Sequence, residues 1–144
     1  MPKQNVIEFF RARTQMHPNK PALHVERNDE VVVWTWREWF GDTMQCAKAM
    51  IHVGLSRFAG VCCIGFNSPE WLIADLAAIA AGGIAAGIYT TNAPDACQYV
   101  MDHCRCEIIF VENRKQLDKV RWWHLAWVKA GGEWWGGAEF YCDE

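Results

Sequence analysis

Short apolar runs alternate with helix-start signals through the middle of this 144-residue chain, and this alternation constrains the fold more than any other feature. The runs are GVCCIGF, IAAGIY and EIIFVE, and each has the length and the flanking residues of a buried strand. Two helix starts separate them, Asn67-Ser68-Pro69-Glu70 and Asn92-Ala93-Pro94-Asp95, where a polar cap precedes a proline and an acid. Strands that alternate with helices predict a largely parallel sheet with helices on both faces.

The segments on either side complete the predicted fold. The runs ALHVE and VVVWT flank Arg27-Asn28-Asp29-Glu30, which predicts a hairpin. A helix is predicted before the hairpin and ends ahead of His17-Pro18. A second begins after it, where Thr35 and Glu38 have capping-box spacing, and a further helix begins within residues 114–120. The fold class is therefore α/β, a hairpin followed by a βαβαβ-type, largely parallel sheet.

A glycine-containing stretch between residues 67 and 94 raises the question of a phosphate site. A phosphate-binding glycine loop follows a strand and opens a helix, so that backbone N–H groups face the anion. Here Gly82-Gly83 closes a helix and precedes a strand, and neither G-x-G-x-x-G nor G-x-x-x-x-G-K-[ST] occurs in the chain. We interpret Gly82, Gly83 and Gly87 as turn and close-packing residues.

Charge and composition exclude several classes of partner. The net charge is −3 and lysine and arginine do not cluster, so nucleic acid is not an expected partner. Residues 76–94 carry no charge, but they consist mostly of Ala and Gly. This composition predicts two short elements rather than a transmembrane helix. The seven cysteines are odd in number and irregularly spaced, which is typical of reduced, mostly buried thiols and predicts a cytoplasmic protein.

The polar side chains include few candidates for a catalytic or metal-binding role. One cluster contains acid, imidazole and thiol groups: Cys97, Asp102, His103, Cys104 and Cys106. It contains no C-x-x-C pair, so core packing is favoured over zinc binding. Cys62 and Cys63 are adjacent on a predicted strand and point to opposite faces. Glu70 and Asp95 are explained as helix-start residues. The motifs therefore predict no catalytic, cofactor-binding or metal-binding residue.

Several segments together are similar to a known family. NKPAL, TWREW, GFNSPEWLIADLAAIAAGGIAAGIYTTNAPDACQYV and IIFVENRKQLDKV resemble the N-terminal part of the adenylate-forming (AMP-binding) acyl-CoA synthetases. The resemblance is to long-chain fatty-acid–CoA ligases of the bubblegum type and covers about residues 7–120. It implies a partial N-terminal lobe of a large α/β ligase domain.

The resemblance also implies an activity for the complete enzyme. Members activate a fatty acid with MgATP to an acyl-adenylate and then transfer the acyl group to coenzyme A. Their phosphate loop, adenine and ribose contacts and catalytic lysine lie further along, and no position here matches them; the longest hydroxyl cluster is Thr90-Thr91. Long-chain fatty acid, ATP, Mg and CoA are thus implied for the complete enzyme, with none bound by this chain. We therefore expect the chain to be truncated before the ATP and catalytic motifs and to be inactive alone, and the question of whether it is an enzyme stays open. The alternative is a non-catalytic truncated isoform that acts as a binding or regulatory module for the full-length ligase.

The resemblance stops after Val120, which predicts two regions, 1–120 from the AMP-binding domain and 121–144 as an unrelated tail. Five tryptophans stand in that tail: Trp122, Trp123, Trp127, Trp134 and Trp135. One interpretation is an aromatic segment that docks on a partner, and the other, which we favour, is a translated intron or shifted frame. We expect a truncated sheet with exposed apolar surface, prone to self-association or to association with a full-length ligase. Association with the endoplasmic reticulum membrane is implied only for the complete enzyme.

Overall fold

The computed structural model describes residues 4–121. The elements follow in the order α1 (Val6–Met16), β1 (Pro21–Arg27), β2 (Glu30–Thr35), α2 (Trp36–His52), β3 (Gly60–Ile64), α3 (Pro69–Ala80), β4 (Ile84–Ile88), α4 (Pro94–His103) and β5 (Cys106–Val111). A last helix, α5, begins at residue 114 and is described to residue 121. The predicted α/β order is confirmed, and the tryptophan-rich tail lies outside the described residues.

Strands β1 and β2 form the predicted hairpin. They pair antiparallel, and Arg27 and Glu30 face each other at its tip. The two turn residues, Asn28 and Asp29, have φ of 50° and 63°. This left-handed conformation suits Asn and Asp, and it matches the turn to the twist of the strands.

Helix α2 begins with the capping box that the sequence predicts. The Thr35 hydroxyl accepts from the backbone N–H of Glu38 at 3.3 Å, and the Glu38 carboxylate accepts from the Thr35 N–H at 2.8 Å. Helices α1 and α2 then meet through the buried ring of Phe10, which is 4% exposed. Three rings of α2 surround it, those of Trp36, Trp39 and Phe40, with centroid separations of 6.1, 4.5 and 5.1 Å. This aromatic contact joins α1 to the rest of the fold.

The second sheet is parallel, with the strand order β4-β3-β5. Every residue of the central strand β3 is buried, as GVCCIGF predicts. The prediction that IAAGIY is a buried strand is wrong, because β4 lies at an edge of the sheet among the described strands and Ile84 is 50% exposed. An apolar run predicts that helices cover both faces of a strand. It does not show whether the strand is central in the sheet or lies at its edge.

Helices cover both faces of this sheet. On one side, which we call the alanine face, α2 and α3 pack on β3 through Ala47, Met50, Val61, Ala77 and Ala78. On the other side, which we call the thiol face, α4 and α5 pack through Cys62, Ile64, Ile88, Cys97, Met101, Cys106 and Val120. Successive residues of β3 therefore go to opposite faces, as expected for Cys62 and Cys63.

The starts of α3 and α4 differ. The Ser68 hydroxyl caps α3 by accepting from the Trp71 N–H at 3.1 Å. The expected polar cap of α4 is wrong, since the cap residue is Ala93 and it makes no side-chain hydrogen bond. Asn92 lies one residue too early and instead donates its N–H to the Tyr89 carbonyl at 3.0 Å. The proline at the first helical position remains as the start signal.

The charge-free segment 76–94 folds into the end of α3, a turn and β4, so the prediction of two short elements is confirmed. Within residues 4–121, no helix combines the length and the apolar character needed to cross a bilayer.

Candidate functional site

The loops after β3, β4 and β5 form the candidate site of this fold. Since the three strands are parallel, their carboxyl ends meet at one edge of the sheet. We call this the carboxyl edge and define it by residues 65–68, 89–93 and 112–113. In open α/β sheets, ligands bind in the crevice outside the carboxyl ends of the strands. The side chains placed here are therefore the first to consider for chemistry.

Trp71 fixes the loop after β3 against the neighbouring strand. A Cβ built on Gly87 would lie 3.3 Å from Cζ2 of Trp71, and one on Gly65 would lie 3.8 Å from its Cδ1. The indole thus lies against the backbone of both glycines. Gly87 is a close-packing residue, as the sequence predicts, and a larger side chain there would displace the indole.

Lys119 supplies a cation to the loop after β4. Its ammonium donates to the Thr90 carbonyl at 2.6 Å, which ties α5 to the end of β4. Thr91 and Tyr89 beside it are exposed, and Tyr89 is 80% exposed. The hydroxyl pair Thr90-Thr91 lies at the carboxyl edge, but the neighbouring lysine is already bound to a backbone carbonyl.

An ion pair connects the hairpin to the start of α3. The Arg27 guanidinium lies 2.7 Å from the Glu70 carboxylate. Burial of this carboxylate acts to raise its pKa, but the hydrogen bond from Arg27 and further hydrogen bonds outweigh it. The net pKa of Glu70 is therefore lowered. Glu70 lies in the first turn of α3, where an acid favours the helix dipole, so its predicted structural role is confirmed.

Asp95 lies in the first turn of α4 and has the same structural role. Earlier in the chain, Asp75 is partly buried in α3, and burial raises the pKa of its carboxyl group. Its charge adds to burial in raising the pKa of the Cys63 thiol to about 12. These two groups face each other on the alanine face and not at the carboxyl edge. Cys63 is consequently an inert core thiol in the present structure.

The five residues of the candidate metal cluster do not converge on one point. Cys97 and Cys106 are buried in the thiol face, whereas Asp102 and His103 are exposed on α4. The His103 ring stacks on Tyr99 at 5.9 Å between centroids. Within the described part of the chain, no three His, Cys, Asp or Glu side chains are placed to hold a metal ion.

The paired glycines lie at the opposite, amino-terminal edge of the sheet. Gly82 has φ of +87°, and the Gly83 N–H donates to the Ala78 carbonyl at 2.9 Å. They close α3 in the Schellman manner and lead into β4. Their predicted role as turn residues is confirmed, and the geometry of a phosphate loop is absent at this position.

Two buried features were missed from the sequence. The Cys62 and Cys104 sulfurs lie 3.5 Å apart on the thiol face. Gln116 of α5 is 5% exposed, and its Oε1 has no hydrogen-bond partner among the described residues. Alternation along β3 predicts the face on which Cys62 lies, but it does not predict that Cys62 contacts the C-terminal end of α4. A glutamine in a polar stretch of helix gives no signal of burial at all.

Comparison with known proteins agrees with the fold and its order of elements. The family described as AMP-binding enzyme matches residues 10–128. The long-chain-fatty-acid–CoA ligase ACSBG2 of Gallus gallus is 43% identical over 113 residues, which are 78% of this chain and 15% of that protein. The ligase ACSBG1 of Bos taurus is 46% identical over 129 residues, covering 88% of this chain and 18% of that protein.

Solved structures share the fold at lower identity. The inhibitor-bound N-terminal domain of FACL13 from Mycobacterium tuberculosis has a TM-score of 0.75 and 19% identity, over 83% of this chain and 30% of that one. The Mycobacterium tuberculosis fatty acyl CoA synthetase has a TM-score of 0.72 and 18% identity, over 81% of this chain and 23% of that one.

The curated relatives that match are ligases of the adenylate-forming (AMP-binding) class. The chain belongs to the AMP-binding enzyme family, and its curated relatives are long-chain-fatty-acid–CoA ligases of the bubblegum type. The resemblance drawn from the sequence is thus confirmed, as is the assignment to an N-terminal lobe. The chain spans 15% of the Gallus gallus relative and 18% of the Bos taurus one. The predicted boundary at residue 120 stays a prediction.

Proposed function

We propose that this chain supplies the opening lobe of an enzyme that activates long-chain fatty acids to acyl-CoA. In this reaction the fatty-acid carboxylate attacks the α-phosphorus of ATP and releases pyrophosphate. The coenzyme A thiol then attacks the acyl-adenylate and releases AMP. The observation that carries the proposal is the 46% identity over 129 residues to a protein named for this activity.

Within such an enzyme, the lobe acts as a scaffold and supplies no reacting group. Two cations described above already have partners: Arg27 pairs with Glu70 at the start of α3, and Lys119 of α5 donates to the Thr90 carbonyl of the carboxyl edge. Among residues 4–121, no group of three or more His, Cys, Asp or Glu side chains is placed to hold a metal ion. We propose no step of the reaction for these residues. Their role is to hold the loops of the carboxyl edge in place.

The test is the activity of residues 1–144 in isolation. The purified chain is mixed with ATP, Mg²⁺, palmitate and CoA, and pyrophosphate release is followed, with the Gallus gallus relative as the active control. We expect no palmitate-dependent release above the blank. Reproducible turnover that survives repeated purification would overturn the scaffold role while leaving the family assignment intact.

A second candidate function is a non-catalytic binding module for a full-length ligase. The observation that favours it is the outer edge of β4, which has no strand partner among the described residues and carries the half-exposed Ile84. Such edges pair readily with other chains unless charge protects them. The test is co-purification with a tagged full-length relative. Loss of binding in Ile84→Lys, or on removal of residues 121–144, would support the module, and failure of the unaltered chain to co-purify would exclude it.

We also propose a cytoplasmic location. The six cysteines of residues 4–121 are free thiols. Cysteines are kept in this reduced form in the cytosol. Cell fractionation of a tagged chain tests this, and recovery with the secreted or luminal fraction would contradict it.

A further inference from the structure

Two thiols from distant parts of the sequence meet on the thiol face of the sheet. Cys62 lies at the centre of β3 and is 0% exposed, and Cys104 is the residue that ends α4. Their sulfurs are 3.5 Å apart and share a hydrogen bond. A disulfide has an S–S length of about 2.05 Å, so closing it needs a movement of roughly 1.5 Å.

The backbone around Gly60 fixes this approach. A Cβ built on Gly60 would lie 2.5 Å from the Cys104 carbonyl oxygen and 2.7 Å from its sulfur. The Gly60 N–H also donates to the Arg105 carbonyl at 3.1 Å, and Arg105 has φ of +52°. The end of α4 can therefore reach β3 only because residue 60 has no side chain. The register shift between Gly60 and Val61 in the β3–β5 pair belongs to the same local arrangement.

The two thiols differ in their access to solvent. Cys104 is partly exposed, while Cys62 is fully buried behind it. An oxidant that arrives from solvent thus meets Cys104 first, and the resulting sulfenic acid has a second thiol in contact. A partly exposed cysteine beside a resolving cysteine is the geometry found at reversible redox sites. Burial raises the pKa of the Cys104 thiol, so its thiolate is scarce at neutral pH and the first step is slow.

We propose that Cys62 and Cys104 form a redox modification site that closes to a disulfide on reaction with a hydroperoxide. In the first step the Cys104 sulfur attacks one peroxide oxygen, and Cys104–SOH and water are formed when hydrogen peroxide is used. In the second step the Cys62 sulfur attacks the Cys104 sulfur, an S–S bond forms, and the hydroxyl leaves as water with the Cys62 proton. Two thiols are oxidised by two electrons, and one peroxide is reduced to two waters.

A third thiol, Cys106, competes for the same partner. It is 5% exposed and its sulfur donates to the Ile108 carbonyl at 3.1 Å. Hydrogen bonding with the Cys62 thiol is the largest effect on Cys106 and lowers its pKa, whereas the same contact raises the pKa of Cys62. The location of the disulfide, and not merely the loss of thiols, is therefore what must be measured.

The sequence allows the disulfide to be located directly. Trypsin cleaves after Arg57, Arg105 and Arg114, and Asp-N protease cleaves before Asp75 and Asp102. Together they release Cys62 and Cys63 in residues 58–74, Cys104 in residues 102–105 and Cys106 in residues 106–114. The full 144-residue chain is treated with hydrogen peroxide, remaining thiols are alkylated, and the digest is read by mass spectrometry with and without dithiothreitol.

We expect residues 58–74 linked to residues 102–105, with the link lost on reduction. Cys63→Ser is the matched control, because Cys63 is the neighbouring residue but faces the alanine side, and this variant must keep the link while Cys62→Ser loses it. A link from residues 106–114 to either residues 58–74 or residues 102–105 overturns the proposal, as does unlinked Cys104 that proceeds to sulfinic acid. In the unaltered chain, fragment ions that break the bond between Cys62 and Cys63 show which of the two carries the link, so the proposal stands or falls even where a variant does not fold.

Discussion

The two faces of the parallel sheet differ in how they are filled, although the same strand supplies both. Val61 and Cys63 of β3 face α2 and α3, whereas Cys62 and Ile64 face α4 and α5. On the alanine face the helices contribute Ala47, Ala77 and Ala78, which are 5%, 0% and 0% exposed. On the thiol face α4 contributes Cys97 and Met101, both 0% exposed. Alanine is the commonest buried residue on the first face, where Met50 is also buried, whereas cysteine is the commonest on the second, beside Met101, Ile64, Ile88 and Val120.

This difference predicts which kind of substitution destabilises each face most. Small residues let helix backbones approach the sheet, so the alanine face has no room for added volume. Methionine and cysteine side chains are adaptable and polarisable. We therefore expect the thiol face to lose stability mainly when side-chain volume is removed from it. The thiol face also holds the close pair of Cys62 and Cys104, which places the reactive chemistry of the lobe on that face.

The largest effect is expected from removing volume on the thiol face. Met101→Ala should lower the free energy of unfolding by about 2–5 kcal/mol, because it leaves a cavity at a fully buried site. Urea denaturation measures the change. The matched control is Met16→Ala, a substitution of the same chemistry at a residue 66% exposed, which should change stability by about 0.5 kcal/mol or less. Equal effects of the two variants would show that Met101 is not a core residue.

Adding volume on the alanine face should have the next largest effect. Ala78→Leu introduces a branched side chain where α3 packs against α2 and β3. It should lower the free energy of unfolding by about 1–3 kcal/mol. Thermal unfolding followed by circular dichroism measures it. Ile79→Leu, at the next position but 39% exposed, is the control and should be close to neutral. An unchanged melting temperature in Ala78→Leu would contradict the close packing of this face.

The third prediction concerns the reactivity of the Cys63 thiol on the alanine face. Burial and the charge of Asp75 raise the pKa of Cys63 to about 12, so its reactive thiolate is scarce at about pH 8. Alkylation by iodoacetamide should be roughly a thousandfold slower than for a free cysteine of pKa about 8.5. The rate is read from residues 58–74 in a Cys62→Ser chain, with the urea-unfolded chain as the control. Alkylation at equal rates in the folded and unfolded chains would contradict the burial of Cys63.

The smallest effect is expected outside both faces, at the ion pair that joins the hairpin to α3. Glu70→Gln should lower stability by about 1 kcal/mol or less, since Arg27 and Glu70 are 44% and 32% exposed in their side chains. The pKa of Glu70 is lowered on folding, so its contribution is present above the ordinary glutamate pKa and is lost as pH falls through the folded value. Denaturation at neutral and acidic pH measures this, with Glu26→Gln on β1 as the control. A difference that persists at acidic pH would exclude the charge as its cause.

Local signals in the sequence predicted most of the element boundaries. The Thr35 and Glu38 box, the Ser68 cap and the Gly82 turn each depend on residues a few positions apart, and each is found as predicted. The box at Asn5 and Glu8 has the same spacing and was not predicted. One error is local, because Asn92 lies one residue before the cap position of α4, which Ala93 occupies. The other is non-local: the exposure of β4 depends on which strands lie beside it, and a linear pattern does not contain that information.

The candidate site follows the same rule. The alternation of β3 places Cys62 and Cys63 on opposite faces, and that was predicted from the strand alone. The contact of Cys62 with Cys104 was not, because it depends on how α4 approaches Gly60 across the sheet. The position of Lys119 beside Thr90 depends likewise on the docking of α5 on the carboxyl edge.

The most direct measurement of the scaffold role is an exchange of lobes. The segment of the Gallus gallus ligase ACSBG2 that aligns with residues 10–121 is replaced by those residues, and ATP-dependent formation of palmitoyl-CoA is measured. Cooperative unfolding of the chimera confirms that it is folded. Because this lobe is proposed to hold the carboxyl edge in place and to contribute no reacting group, a folded chimera should retain ligase activity while the 144-residue chain alone shows none. A folded but inactive chimera, or turnover by the isolated chain, would contradict the account.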